Sequence, residues 1–228
     1  PTWFRLGDSD LALHLERTRR LAAGETLSAV TDGLRRKLGV VSRILPMTDD
    51  RVRTRLRCDC GWLDFQDYFV RLRCEPAVQA LDYVGAEAAR PVPEVIDMLG
   101  GEDLRAVVIC PSNPFLSIEP ILAIPGMRTA IANCRAPVVA VSPVIAGQAV
   151  KGPTTKMMRE LGLAASASAV ACRYADLLDA FVVDEADAAM AAPEGVRLVT
   201  ARTLMTCLAD RRRLAQIVLA AADAEADR

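Results

Sequence analysis

Short β-rich runs alternate with stretches long enough for a helix along most of the 228 residues, and this alternation constrains the fold more than any single motif. Strands joined by helix-sized connections are typical of a parallel sheet flanked by helices. The predicted strands are 40–45, 80–84, 106–110, 138–141, 180–183 and 196–199. The predicted helices start at residue 8, span 26–38 and lie at about 207–224. We therefore expect one α/β domain over residues 1–228, with a Rossmann-like, mostly parallel sheet.

One segment, residues 51–73, departs from this alternation. Every second residue from Arg51 to Arg57 is an arginine, and a period of two places these side chains on one face of a strand. A turn at 59–61 and a second extended pattern over 62–72 predict an antiparallel hairpin inserted beside the parallel core. We interpret this arginine ladder as a solvated face or a subunit contact, which allows a homodimer.

Composition narrows the partners that this chain can have. The 28 basic and 29 acidic residues leave a net charge of −1, so no broad positive field favours nucleic acid or anionic lipid. The longest apolar runs are far shorter than the roughly 20 residues of a membrane-spanning helix, so no membrane partner is expected. Seven cysteines without a paired framework fit reduced thiols and predict a cytoplasmic protein.

The sequence lacks the motifs of several common kinds of catalytic site. No G-x-G occurs, which excludes the dinucleotide fingerprint and the nucleophile elbow within these residues. The single histidine, His14, shares a helical face with Leu11 and Leu15, so a histidine-based triad elsewhere is excluded. The spacing of Cys58, Cys60 and Cys74 matches no common zinc motif. Any ligand chemistry must therefore come from polar loops.

Three polar loops each follow a predicted strand, at residues 46–50, 111–114 and 142–147. In an open parallel sheet the carboxyl ends of the strands line one edge, and ligands bind in the crevice beside it. We therefore expect these loops to meet at one site although they are distant in sequence.

The middle loop has the composition of a phosphate-binding turn. Ser112 and Asn113 supply polar groups, and Ser117 is the predicted N-cap of a short helix with Pro120 in its first turn. Free amides and the positive end of that helix would then face the crevice, where they favour phosphate. An ordinary strand-to-helix turn explains the same residues equally well.

Lys151, Gly152 and Pro153 follow the third loop, and Pro153 suits the first position of a helix. Lys151 could place a cation on a pyrophosphate, although a solvated loop lysine is the simpler reading of a single lysine. In the first loop, Asp49 and Asp50 could bind a divalent cation, poise a hydroxyl nucleophile or orient a ligand hydroxyl. A turn or capping role is the alternative for this aspartate pair.

Five ordered motifs together resemble the 2-phospho-L-lactate transferase family over most of the chain. They are WFRLGDSDLA at 3–12, LPMTDD at 45–50, FQDYFV at 65–70, PSNPFLSI at 111–118, and AVSP at 140–143 with KGP at 151–153. The resemblance implies an enzyme of coenzyme F(420) biosynthesis. It would transfer a phospho-lactyl or phosphoenolpyruvyl group from a guanosine-diphospho donor to the deazaflavin precursor Fo, releasing GMP with Mg²⁺ assistance.

The resemblance also assigns residues to the two substrates. It implies that the nucleotide phosphates meet Ser112, Asn113, Ser117, Ser142, Lys151 and Gly152. It implies that the acceptor side contains Thr48, Asp49, Asp50 and Gln66, with Asp49 and Asp50 as the catalytic carboxylates. The glycine-rich first loop of the family and its acidic metal-binding segment do not occur in this sequence, so the metal ligand is expected ahead of Pro1.

Two other functions are compatible with these patterns. One is a non-enzymatic regulator that binds nucleotide sugars, similar to the gluconeogenesis factor family; the motifs at 65–70 and 151–153 favour the transferase over it. The other is a generic nucleotide-binding α/β fold in which the loops have only a structural role.

Overall fold

The computed structural model describes residues 3–226. Its strands are β1 (Arg53–Cys58), β2 (Gly61–Asp64), β3 (Val78–Val84), β4 (Val107–Ile109), β5 (Val138–Val141), β6 (Val144–Ile145), β7 (Gln148–Ala149), β8 (Ala180–Asp184) and β9 (Arg197–Ala201). Its α-helices are α1 (Asp8–Ala22), α2 (Leu27–Lys37), α3 (Pro93–Gly100), α4 (Glu119–Leu122), α5 (Met127–Ala132), α6 (Thr154–Glu160), α7 (Ala167–Arg173) and α8 (Leu208–Ala226). Short helical turns span Asp67–Arg71, Ala86–Ala88, Pro114–Ile118 and Glu185–Asp187.

A four-stranded parallel sheet of order β4-β5-β8-β9 forms the centre of the molecule, which confirms the predicted α/β class. Alternate residues of its central strands pack into two separate apolar clusters, one on each face. Val139 and Val182 pack with Leu214 and Val218 of α8. Phe181 packs on the opposite face with residues of α6 and α7. Because both faces are covered, the strands are continuous apolar runs, as parallel strands usually are.

A separate three-stranded antiparallel sheet has the order β2-β1-β3 and contains the predicted hairpin. Leu56 and Cys58 of β1 are buried whereas Arg53 and Arg57 are exposed, so the arginines do lie on one face. Strand β3, predicted as part of the parallel sheet, pairs antiparallel with β1 instead. The hairpin is therefore two strands of a larger sheet.

The prediction of a strand at 40–45 was wrong. This segment is irregular, and Val41 is 92% exposed. The guanidinium of Arg35 donates from Nη1 to the carbonyl oxygens of Val40, at 2.7 Å, and of Val41, at 3.1 Å. An arginine at the end of α2 thus takes the carbonyl groups that a strand would offer to a neighbour.

The extended pattern predicted over 62–72 ends at Asp64, and a helical turn over Asp67–Arg71 follows. Contacts with helical spacing account for the change. The rings of Phe65 and Phe69 stack with centroids 5.3 Å apart, and Arg71 pairs with Asp67 at 2.9 Å. Tyr68 between them is fully buried, so the turn anchors the antiparallel sheet in the main core.

The structure contains the helices that were predicted from residue 8, over 26–38 and at about 207–224. The hydroxyl of Thr26 accepts the backbone N–H of Ala29 at 3.2 Å, so Thr26 is the N-cap of α2 within the predicted 26–38 segment. The C-terminal helix predicted at about 207–224 is α8. No helix between residues 3 and 226 combines the length and apolarity needed to cross a membrane.

Candidate functional site

Two of the predicted loops leave the same edge of the parallel sheet. Ile109 of β4 is paired in register with Ala140 of β5, so the segments that follow these strands start side by side. The side chain of Asn113 also reaches α6, where its Nδ2 lies 3.7 Å from the sulfur of Met157. The structure therefore brings the 110–113 segment, Ser142 and the start of α6 to one region at the carboxyl edge.

Asn113, and not Ser117, is the N-cap of the turn that follows β4. Its side-chain oxygen accepts the backbone N–H groups of Phe115, at 2.9 Å, and Leu116, at 3.1 Å. The N–H of Ser117 donates to the carbonyl of Asn113 at 3.0 Å, so Ser117 lies inside the turn, with its side chain exposed. The first amides of this turn are thus satisfied by Asn113, which corrects the expectation that they face the crevice free. Ser112 is half-buried beside them.

Ser142 is buried, and its hydroxyl is already used within the loop. It donates to the carbonyl of Val144 at 2.8 Å and accepts the N–H of the same residue at 3.1 Å. Lys151 and Gly152 are exposed, and Gly152 has a φ of +68°, a conformation that favours glycine. Pro153 is the N-cap of α6 rather than its first residue. Lys151 is therefore an accessible cation at this edge, whereas Ser142 shapes the turn.

The Thr48–Asp50 segment does not follow a strand of the parallel sheet, because the 40–45 segment before it is irregular. Asp49 accepts the N–H of Ser28 in the first turn of α2 at 2.6 Å, and Asp50 accepts the N–H of Arg90 at 2.8 Å. The buried hydroxyl of Thr48 donates to the carbonyl of Arg90 at 2.6 Å. These bonds fit the capping alternative, and they leave each exposed carboxylate a second oxygen for a ligand.

A cavity of about 870 Å³ opens between the antiparallel sheet and the turn after β4. Gln66, predicted on the acceptor side, lines it, and so does Leu116 of the Pro114–Ile118 turn. Leu116 is three residues after the capping Asn113, so this cavity borders the edge that holds the phosphate-binding candidates. The remaining lining residues are Arg51, Val52, Arg53, Thr54, Arg55, Asp64, Phe65, Asp67, Val84 and Gly85.

Charge in the cavity is unevenly compensated. Arg55 Nε lies 3.5 Å from Asp64 Oδ1, an ion pair without hydrogen-bond geometry, and Asp67 pairs with Arg71. Within the described part of the chain, Arg51 and Arg53 have no such acidic partner. Sequence reasoning interpreted the arginine ladder as a solvated face or a subunit contact, and it did not predict that Arg51 and Arg53 line a cavity. The signal available was its closeness in sequence to Gln66.

Tyr83 connects the antiparallel sheet to the turn after β4. Its hydroxyl donates to the carbonyl of Phe115 at 2.6 Å. Burial raises the pKa of this phenol above its usual range, and nearby Glu119 acts in the same direction. The guanidinium of Arg173 lies 4.9 Å from the ring centroid of Phe115 and pairs with Glu119 at 2.8 Å. Sequence reasoning did not find these positioning residues, because no local pattern marks them.

A metal site is not preformed in residues 3–226. No group of three or more histidine, cysteine, aspartate or glutamate side chains there could hold an ion. The available carboxylates of Asp49 and Asp50 are each bonded to a backbone N–H of another segment. The dependence on Mg²⁺ therefore stays a prediction.

The parallel sheet with both faces covered, and with polar loops at its carboxyl edge, defines an α/β protein of the Rossmann-like class, in which ligands usually bind at that edge. The family model for "2-phospho-L-lactate transferase CofD" matches residues 2–218. This chain belongs to the 2-phospho-L-lactate transferase CofD family, which confirms the resemblance stated from the motifs.

Curated relatives carry two related names. A phosphoenolpyruvate transferase of Kitasatospora aureofaciens is 41% identical over 231 residues, covering 98% of this chain and 71% of the relative. One from Streptomyces coelicolor is 44% identical over 195 residues, covering 82% and 60%. A 2-phospho-L-lactate transferase of Methanosarcina mazei is 38% identical over 220 residues, covering 95% and 71%. The matches thus span about 60% to 71% of the length of these relatives.

Solved structures agree on the fold. Two crystal structures of protein BH3568 from Bacillus halodurans, one of them described as a member of the UPF0052 family, superpose with TM-scores of 0.61 and 0.62. Each covers 90% of this chain and 70% of that protein, at 12% and 14% sequence identity. At this identity the likeness concerns the arrangement of helices and strands alone.

Proposed function

We propose that this protein transfers a phospho-lactyl or phosphoenolpyruvyl group from a guanosine-diphospho donor to the terminal ribityl hydroxyl of Fo, in coenzyme F(420) biosynthesis. The observation that carries the proposal is that the cavity and the carboxyl edge of the parallel sheet adjoin at one turn. Leu116 lines the cavity beside Gln66, and it belongs to the turn capped by Asn113 at the edge of the parallel sheet. A two-substrate transfer needs such adjacency because both reactants must be held in line.

In the proposed reaction, the hydroxyl oxygen of Fo forms a bond to the phosphorus that bears the three-carbon acid. The bond from that phosphorus to the bridging oxygen breaks, and GMP leaves with the electron pair. The hydroxyl proton passes to a carboxylate or to water. The reaction needs positioned phosphates and an aligned hydroxyl, and no covalent bond to the protein.

The residues divide between the two reactants. Ser112, Asn113 and Lys151 lie toward the nucleotide phosphates, where Lys151 offsets charge that develops on the leaving group. Asn113 contributes mainly by fixing the turn, since its oxygen is already bonded to Phe115 and Leu116. Gln66 orients the acceptor in the cavity. Asp50, adjacent in sequence to Arg51 of the cavity wall, is the candidate to accept the hydroxyl proton.

The direct experiment follows GMP release by chromatography and the modified Fo by mass spectrometry, with each of the two guanylated donors in turn. We expect both products to appear together, at a rate that depends on added Mg²⁺ and stops with a chelator. The Lys151→Gln variant should release GMP at least tenfold more slowly, whereas Lys37→Gln, at the exposed C-terminal end of α2, should not. Absence of GMP release with either donor, from a folded sample, contradicts the proposal.

The regulatory alternative is tested by calorimetry with GDP and with UDP-N-acetylglucosamine. We expect GDP to bind and the uridine ligand to bind at least tenfold more weakly. Tight binding of the uridine ligand alone would replace the transferase with a nucleotide-sugar-binding regulator.

A further inference from the structure

Arg51 and Arg53, which together form the positive wall of the cavity, line it but are not among the residues expected to meet the nucleotide phosphates. We propose that this wall binds the carboxylate of the three-carbon acid in the donor, an inference that rests on the proposed transfer reaction. It would make the arginine ladder a specificity determinant for acidic donors.

Electrostatic pairing within the cavity leaves this wall available. Asp64 and Asp67 also line the cavity, but Arg55 and Arg71 offset their charge, at 3.5 Å and 2.9 Å. Among residues 3–226, Arg51 and Arg53 are left without a carboxylate partner. A carboxylate that enters the cavity therefore meets its strongest attraction at these two guanidinium groups.

The spacing of the two arginines suits a small anion. Arg53 is the first residue of β1 and Arg51 lies two residues before it. Residues two apart in an extended chain point to the same face, about 7 Å apart. Long arginine side chains can converge over that distance, and the guanidinium fork binds a carboxylate through two parallel N–H bonds. Arg57 continues the same ladder but does not line the cavity, so it provides a matched comparison on the same strand.

The geometry of the proposed displacement places the three-carbon acid in the cavity, beside Arg51 and Arg53. The transferred phosphorus carries the acid, and in an in-line displacement the leaving GMP lies opposite the attacking hydroxyl. With the nucleotide phosphates at the edge beside Asn113, the acid and the acceptor extend past Leu116 into the cavity. Its volume of about 870 Å³ lies within the usual range of roughly 300–1,000 Å³ for small-molecule sites.

The binding experiment compares two probes by calorimetry: GDP, which lacks the acid, and guanosine-diphospho-phosphoenolpyruvate, which carries it. For the Arg51→Gln/Arg53→Gln double variant we expect the affinity for the acid-bearing donor to fall at least tenfold. The affinity for GDP should change less than twofold. Arg57→Gln should leave both affinities within twofold of the unsubstituted protein, which controls for the general loss of positive charge.

Three results would overturn the inference. They are unchanged donor affinity in the double variant, an equal loss for donor and GDP, and an equal effect of Arg57→Gln. Circular dichroism confirms folding, and the single variant Arg53→Gln, at an exposed position, replaces the double variant if that fails to fold. For it we expect at least a threefold loss that is specific to the acid-bearing donor.

The binding assay is independent of turnover, which separates this inference from the proposed function. A protein that releases no GMP but loses donor-specific affinity in the double variant contradicts the transfer reaction and supports the carboxylate subsite. A protein whose double variant turns over the donor with an unchanged KM supports the transfer reaction and overturns the subsite.

Discussion

The parallel and antiparallel sheets differ in how much of each strand is enclosed by protein. All four residues of β5 are buried, as are the first four of β8. Strand β1 instead alternates between exposed arginines and buried residues such as Leu56. A sheet covered on both faces fixes where its loops leave, whereas a sheet with one open face can present side chains to a ligand. The candidate site therefore combines a rigid edge with an accessible wall.

The largest expected effect is the loss of stability from a substitution in the core of the parallel sheet. Phe181 is fully buried in β8, and Phe181→Ala should lower the free energy of unfolding by about 3–5 kcal/mol, because it leaves a cavity in the core. Trp62 of β2 is 43% exposed, so Trp62→Ala should cost under about 1 kcal/mol. Urea unfolding of both variants measures the difference. Equal losses would mean that the two sheets are equally enclosed.

A second, smaller effect is expected at Gly85, which lines the cavity. Gly85 has a φ of +87°, and an added Cβ would lie 2.5 Å from the carbonyl oxygen of Arg51. Gly85→Ala should therefore cost roughly 2 kcal/mol or more. Gly24 has nearly the same φ, +88°, with open space around it, so Gly24→Ala isolates the backbone strain, about 1 kcal/mol. If thermal unfolding shows equal losses, the close approach to Arg51 contributes nothing.

A smaller effect is expected at the cap of the turn after β4. Asn113→Ala removes the acceptor of two backbone N–H groups and should cost about 1 kcal/mol in urea unfolding. Asn113→Asp keeps an acceptor oxygen and should restore most of that stability. An equal loss in both variants would show that the contact of the amide group with Met157, rather than the cap, matters.

The smallest effect is a change in acid stability at the carboxyl end of β8. Asp184 is partly buried, which raises its pKa, but bonds from Thr203 and Ala186 outweigh this and hold the pKa below its ordinary value of about 3.9. The folded state then binds fewer protons than the unfolded state. This stability is present above the unfolded pKa and is lost as pH falls through the folded value.

Unfolding at a series of pH values tests the role of Asp184. Between about pH 5 and about pH 2, we expect the unsubstituted protein to lose stability more steeply than Asp184→Asn, which has no carboxylate to protonate. Parallel curves would show that Asp184 does not contribute to this dependence.

The parallel sheet could be predicted because its strands have a signal within their own residues. Residues 138–141 are a short valine-rich apolar run between Pro137 and Pro143, and they form β5. The 40–45 segment has a similar composition but is irregular, since Arg35 of another element binds its carbonyl groups. A tertiary contact of this kind leaves no trace in the local pattern.

The candidate site was less predictable for a similar reason. The cap at Asn113 had a local signal, because an asparagine directly before Pro114 fits an N-cap followed by proline, and Ser117 was chosen instead. The period of the arginines predicted their common face. It did not reveal that Gln66 and Leu116 enclose this face, because that closure depends on three distant segments packing together.

The bond from Tyr83 to the carbonyl of Phe115 has a consequence for how the two sheets respond to acidity. Its buried phenol keeps its proton well into the alkaline range, so this joint holds unchanged across the pH values at which enzymes normally operate. The loop containing Asp49 and Asp50 is held differently, because its carboxylates accept the backbone N–H groups of Ser28 and Arg90. The antiparallel sheet and the turn after β4 therefore stay bonded to each other through Tyr83 over that whole range.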